Sequence, residues 1–225
     1  MTGSPPQGRA YVGTSGFSYP TWKPGFYPAG TPQKDFLRFY AQRFDSVELN
    51  TTGYRLPDEE QFRHWAAQTP DGFRFAVKMP HPNRAAAFTA RVRALGDKLG
   101  PVRIVVQQAY DEKFLARLLD SLDPALEWAL DFRHESWTGV GTGRAAVVGS
   151  LEGEARFRYL RLREPPYTDA QLEDWAARLR PLLEAGVRVY AYFKHEDEPL
   201  APRYALRLRE LLGESSFSTS SSQRS

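Results

Sequence analysis

The chain has 225 residues, 30 basic against 27 acidic side chains, four histidines and no cysteine. That length buries a sizeable core without staples, and the missing cysteine excludes disulfides, thiolate or iron–sulfur ligation and a thiol nucleophile. A net charge of +3 is too mild to point by itself to a nucleic-acid partner, although the basic side chains are lopsided, 24 Arg to 6 Lys, and Arg is the better fork for carboxylates and phosphates.

The first eight residues carry no apolar stretch of the kind that opens a secretory signal, and no apolar run approaches the roughly 20 residues of a membrane span. A cytoplasmic chain with no membrane partner is expected. Residues 214–225, E-S-S-F-S-T-S-S-S-Q-R-S, are Ser-rich. Together with residues 1–8 they read as disordered ends around a single domain at 9–213.

Within that domain, short apolar, β-branched or aromatic runs lie at 10–14, 46–50, 73–78, 102–107, 126–131, 158–162 and 187–193. Their starts recur every 24 to 36 residues, the length of a strand–helix unit. Start and stop signals mark the helices between. Thr31-Pro32 has the form of an N-cap followed by proline at the first helical position, with Phe36, Leu37 and Tyr40 as the apolar face. Asp58 with Gln61, and Thr168 with Gln171, have capping-box spacing. Leu172, Trp175, Ala176, Leu179 and Leu183 then recur at helical intervals before a stop at Gly186. A last helix over 202–212 sets Tyr204, Ala205, Leu208 and Leu212 on one side and ends at Gly213.

Strands alternating with helices predict a parallel α/β sheet. Seven or eight units without a dinucleotide fingerprint predict a TIM-like (β/α)8 barrel rather than a Rossmann sheet. One stretch does not fit. Only 20 residues separate Trp137 from Arg158, where a complete barrel needs a helix, a strand and a second helix. Residues 145–149 are the only strand-like run there. The seven residues 138–144 reach about 24 Å when extended, enough for a crossover without a helix. The expectation is a barrel whose sixth unit is truncated and lacks its helices, with an open seven-stranded sheet as the alternative.

Strand alternation sorts polar from apolar side chains. Val47 and Leu49 face helices, and Glu48 and Asn50 face the interior. Phe73, Phe75 and Val77 point outward, leaving Arg74, Ala76 and Lys78 inside. Arg103, Val105 and Gln107 share one face, as do Asp131 and Arg133, while Tyr159, Arg161 and Arg163 point inward between leucines. The product is a ring of polar side chains at the C-terminal ends of the strands, where barrel active sites sit. Burying several ionisable groups is costly unless they are paired or used.

Several motifs punctuate this pattern: G-T-S-G-F-S-Y-P-T-W at 13–22, F-Y-A-Q-R-F-D-S-V-E-L-N-T-T-G-Y-R-L-P at 39–57 and T-P-D-G-F-R-F-A-V-K at 69–78. L-G-D-K-L-G-P at 95–101, D-F-R-H-E-S-W at 131–137, Y-L-R-L at 159–162 and Y-A-Y-F at 190–193 complete the set. In this order and spacing they resemble the YecE-like family, a domain of unknown function (number 72) with a TIM-barrel-like fold, over about residues 11 to 212. The resemblance implies the fold and no activity, since the family's biochemistry is not established. Three departures stand out: the cut-down sixth unit, Asp131 where the family usually has Glu, and Lys194-His195-Glu196-Asp197 where many members carry an Asn-rich turn.

The histidines argue against a metal. His64 sits on a helix beside Phe62 and Trp65, His81 lies in a Pro-His-Pro turn, and His134 and His195 follow strands five and eight. No local His pairing exists, so no metal or cofactor is expected, a single Mg²⁺ on carboxylates being the one open case. Ser15, in Gly-Thr-Ser-Gly, lacks nucleophile-elbow spacing; the glycines suit either close approach to a ligand or a plain turn. General acid/base chemistry is the best enzymatic reading. Its catalytic candidates are Glu48, Lys78, Asp131, His134 and Arg161, and its substrate-binding candidates are Ser15, Trp22, Asn50, Tyr54, Gln107, Arg133, Trp137 and His195. Such a mouth suits a small phosphorylated or carboxylated polar molecule. Two rivals stand beside it: a nucleic-acid-binding or nuclease-like surface using the arginines of 156–163, 178–180 and 203–209, and a ligand sensor without turnover.

Overall fold

The computed structural model describes residues 8–50, 52, 56–80, 85–194 and 198–213. Strands β1 (Ala10–Thr14), β2 (Ser46–Leu49), β3 (Arg74–Lys78), β4 (Leu99–Val106), β5 (Trp128–Phe132), β6 (Ala146–Val147), β7 (Phe157–Leu162) and β8 (Arg188–Phe193) alternate with helices over most of the chain. The helices are α1 (Phe36–Ala41), α2 (Glu59–Ala67), α3 (Ala85–Val92), α4 (Glu112–Ser121), α5 (Asp169–Glu184) and α6 (Leu200–Leu211). All strand pairing is parallel, in two arcs ordered β7-β8-β1 and β2-β3-β4-β5-β6. Neighbours thus follow chain order around a ring, the arrangement of a TIM-like (β/α)8 barrel. An eighth strand is present, so the open seven-stranded alternative is not adopted.

The hydrogen-bond ladder is interrupted at two seams. Between β1 and β2 a single parallel bridge joins Ser15 to Glu48. A side chain from α1 fills the rest: the Tyr40 hydroxyl accepts from Thr14 N at 2.8 Å and donates to Ser46 O at 3.1 Å, replacing a missing strand–strand bond. Gly13 makes this approach possible, because a Cβ there would sit 2.1 Å from Ser46 O. At the other seam Gly149 N donates to Tyr159 O at 2.8 Å.

The sixth unit is stripped as expected. Between β5 and β7 the only helical turn is a 3₁₀ turn at Glu135–Trp137. Two arginines take over the anchoring. Arg144 donates to Leu122 O at 2.6 Å, tying the crossover to the end of α4. The buried Arg158 donates to the carbonyls of Leu151, Gly153, Ala155 and Phe157 at 2.7–3.0 Å, so its fixed fork of donors satisfies a loop that has no helix to do so.

Alternation decides what fills the two sides of the sheet. Val47, Leu49, Phe75, Val77, Ile104, Leu160, Leu162, Val189 and Phe193 pack with helix residues in one large outer core. Inside the barrel, Tyr11, Tyr159, Tyr190 and Tyr192 from the three-stranded arc face Ala76, Ala129 and Ala146 from the five-stranded arc. Large residues against small ones fill a narrow interior. The tyrosine hydroxyls find polar partners: Tyr192 meets Ser46 Oγ at 2.6 Å, and Tyr159 meets Glu48 at 2.7 Å.

One helix signal misplaces its helix. The Thr31-Pro32 cap does not form; a 3₁₀ turn occupies Gln33–Asp35 and α1 starts only at Phe36, with no side-chain cap. The other two signals hold, with Asp58 accepting from Gln61 N and a reciprocal capping box between Thr168 and Gln171. Thr168→Ala is expected to destabilise the protein by about 1 kcal/mol in urea unfolding, since it orphans the Gln171 amide. An unchanged midpoint would show the box to be dispensable.

Candidate functional site

Glu48 occupies the third position of β2, which points into the barrel, and it is fully buried. Its Oε1 accepts from the Tyr159 hydroxyl at 2.7 Å and lies 2.9 Å from Arg103 Nε. The Arg103 contact is an ion pair off line for a hydrogen bond, so that Nε has no acceptor among the described residues. Oε2 accepts from Arg161 Nε at 3.0 Å and from the Ser15 hydroxyl. Burial alone would raise the Glu48 pKa. Arg103 and Arg161, with the hydrogen bonds from Ser15 and Tyr159, outweigh it and hold the carboxyl down at about 2. Burial, and then the same carboxylate, push the Tyr159 phenol well above its ordinary value.

Ser15 and Asn50 are drawn into the network. Ser15 Oγ donates to Glu48 and accepts from Arg161 Nη2 at 2.9 Å and Asn50 Nδ2 at 3.1 Å. Asn50 Oδ1 accepts from Arg103 Nη2 at 2.8 Å. The serine oxygen is thus occupied by the Arg161 and Asn50 donors, and the carboxylate that accepts its proton is a weak base, an arrangement unsuited to a nucleophile.

Asp131, near the end of β5, gathers three guanidinium groups on one oxygen. Its Oδ2 accepts from Arg103 Nη1 at 2.5 Å and from Arg133 Nη2 and Arg163 Nη2, each at 2.9 Å. Arg103 is 2% exposed and bridges the two carboxylates, whereas the side chains of Arg133 and Arg163 remain 33% and 29% exposed. Lys78 ends β3 in register with Arg103 and is half-buried. Burial first, then Arg103 and Arg161, lower its pKa, with Glu48 pulling the other way. Burial and Arg161 likewise lower that of Arg163, whose buried Nε has no acceptor among the described residues.

The remaining candidates lie elsewhere. Trp22 is fully buried and packs with Tyr19, Phe26 and Tyr27 at ring distances of 4.8, 5.7 and 6.1 Å, so it has no open face on which a ligand can stack. Trp137 is also buried, stacked on Phe132 at 4.1 Å with its Nε1 donating to Gln108 O at 2.7 Å. His134 is exposed and caps its own 3₁₀ turn through Ser136 N, and Gln107 is exposed just past β4. Tyr54 and His195, like His81, lie outside the described residues. Three network members, Arg103, Tyr159 and Arg163, are not among the site candidates although alternation turns all three inward.

The residues that build this network lie within a family match that covers most of the chain. The model of the family described as "Protein of unknown function DUF72" matches residues 11–154 and 141–224. The chain belongs to the DUF72 family. It is 30% identical over 145 residues to UPF0759 protein YecE of Escherichia coli (strain K12), an alignment covering 58% of this chain and 51% of that one. The chain thus spans about half the length of the curated relative it matches. A DUF72 structure from Enterococcus faecalis V583 superposes with a TM-score of 0.74 at 15% identity, covering 92% of this chain and 99% of that chain. One from Thermotoga maritima MSB8 gives 0.70 at 24% identity over 92% and 100%. D-psicose 3-epimerase, solved in the presence of D-fructose, gives 0.51 at 10% identity over 90% and 99%, a likeness of fold.

In this DUF72 chain the arginine network opens onto a cavity of about 710 Å³ lined by Asp131, Arg133, Arg161 and Arg163, among others. Among the described residues no three His, Asp or Glu side chains converge to hold a metal ion. No helix among them is long and apolar enough to cross a membrane.

Proposed function

We propose that this DUF72 chain binds a small polar anion, phosphorylated or carboxylated, at the C-terminal mouth of its barrel. The observation that carries the reading is the triple use of Asp131 Oδ2 by Arg103, Arg133 and Arg163. Three guanidinium groups crowd one oxygen, with Arg161 and Lys78 close enough to perturb one another. Five cations face two carboxylates, and like charges repel strongly where water is partly excluded. An anion bridging Arg133, Arg161 and Arg163 relieves that repulsion and uses the geometry for which Arg forks are suited.

Both carboxylates then act as positioning groups. Glu48, ionised down to about pH 2 and fully hydrogen-bonded, is a poor proton acceptor near neutrality. We assign an acid/base role at this mouth to Lys78, whose pKa is lowered by burial and by Arg103 and Arg161. The charged form of Lys78 favours an anion, so affinity for a phosphate ester is expected to fall as pH rises through that lowered pKa. Calorimetry from neutral to alkaline pH reads this directly, and Lys78→Met should remove the dependence; identical profiles for the two proteins would take Lys78 out of the site. The binding reading itself is tested by thermal shift with inorganic phosphate, ribose 5-phosphate and small carboxylates. At least one should raise the Tm of the wild type and not that of an Arg133→Ala/Arg163→Ala variant. No shift with any of them would contradict it.

The nucleic-acid alternative gains little support. Arg158 is consumed by backbone carbonyls, Arg209 pairs with the buried Asp45 at 2.7 Å, Arg180 donates to Leu211 O, and Arg207 contacts Asp169, Glu173 and Glu210. Those arginines are spent within the fold rather than arrayed to track phosphates.

A further inference from the structure

The cavity at the mouth extends beyond the arginine cluster. From Arg133, Arg161 and Arg163 it passes over the ends of β5 and β7 and reaches the first turns of α5, where Tyr167, Gln171 and Trp175 line it. It lies beside the truncated sixth unit: no helix follows β6, so the flank between β6–β7 and α5 is left open. A volume of about 710 Å³ is that of a small-molecule site and far exceeds what one phosphate or carboxylate group fills.

The two ends differ in chemistry. The inner end is cationic. The outer end carries the half-buried aromatic rings of Tyr167 and Trp175 with Phe132 and Leu162. Two exposed carboxylates, Glu164 and Asp174, also line the wall. They repel a second anionic group at that end and accept hydrogen bonds from ring amino groups. Trp175 is held in place by Arg178, whose guanidinium lies 4.4 Å from its ring centroid. We infer that the anion taken by this site is a nucleoside monophosphate, its phosphate on the arginines and its planar base against Trp175. This rests on the anion-binding reading and adds the class of molecule.

Calorimetry with AMP, ribose 5-phosphate and adenosine separates the two claims. AMP should bind the wild type about tenfold or more tighter than ribose 5-phosphate, the usual contribution of one base–aromatic stack. Trp175→Ala should erase that preference while leaving the affinity for ribose 5-phosphate unchanged, and Trp175→Phe, which keeps a stacking face, should retain most of it. Circular dichroism establishes that each variant is folded. Equal affinities of the wild type for AMP and ribose 5-phosphate overturn the nucleotide assignment and leave the anion site standing. So does a preference that survives Trp175→Ala. Failure of both phosphate esters to bind overturns the nucleotide assignment, and failure of inorganic phosphate and small carboxylates as well overturns the anion reading with it.

Discussion

Glu48→Ala is expected to cost the fold about 3–5 kcal/mol, the penalty for breaking a buried ion pair by removing one partner. The substitution leaves Arg103, 2% exposed, with Asp131 as its remaining counter-charge. It also takes the acceptor from the Tyr159 and Ser15 hydroxyls and from Arg161 Nε. Urea unfolding measures the loss, with Arg63→Ala as the comparison, because the exposed Arg63–Glu59 pair on α2 should be worth under about 0.5 kcal/mol. Glu48→Gln keeps an acceptor and loses the charge, so it should fall between the two and stay folded enough to measure. It also reports on pH. A carboxyl held at about 2 in the folded protein contributes stability that is fully present above its ordinary pKa and lost as the pH falls toward 2. The acid side of the wild-type stability profile should therefore be steeper than that of Glu48→Gln. Equal costs for Glu48→Ala and Arg63→Ala would show that the buried network does not hold the barrel together.

The second large effect concerns binding. Arg133→Ala and Arg163→Ala should each weaken binding of a phosphate ester about 10- to 100-fold, the range for one charge-assisted contact. Their stability should change little, since both side chains are about one-third exposed and Asp131 keeps Arg103 when either is lost. Arg161 is a worse probe. It holds Ser15 and Glu48 as well as lining the cavity, so its removal mixes structural and binding losses.

Much of this was legible in the strand residues. Alternation from Val47 to Asn50 and from Tyr159 to Arg163 fixes which side chains enter the barrel, because a strand buried on both faces still has period two. The shortage of residues between Trp137 and Arg158 located the stripped sixth unit. Local composition says less about what lies across the mouth. Nothing near Asp131 in sequence tells that Arg103 and Arg163 share its oxygen; strand order and register bring them together. An aromatic at a barrel loop suits either a ligand or a core, and for Trp22 the packing of Tyr19, Phe26 and Tyr27 around it places it in the core. The Thr31-Pro32 signal was outweighed by a 3₁₀ turn that delivers Phe36 onto Tyr27, the two rings stacked at 4.0 Å. The groove beside Trp175 was invisible for a similar reason: its position at helical spacing marked it as core, and only the missing helix after β6 leaves it lining a cavity.

Titration of ribose 5-phosphate into the wild type and into a folded Arg133→Ala/Arg163→Ala double variant, by calorimetry at low and at physiological salt, is the most direct test. The result expected is saturable wild-type binding that weakens as salt rises, and no saturable binding to the double variant. Binding of equal strength to both proteins, or no binding to the wild type of this ester, inorganic phosphate or small carboxylates, would contradict an arginine-organised anion site at the mouth of this barrel.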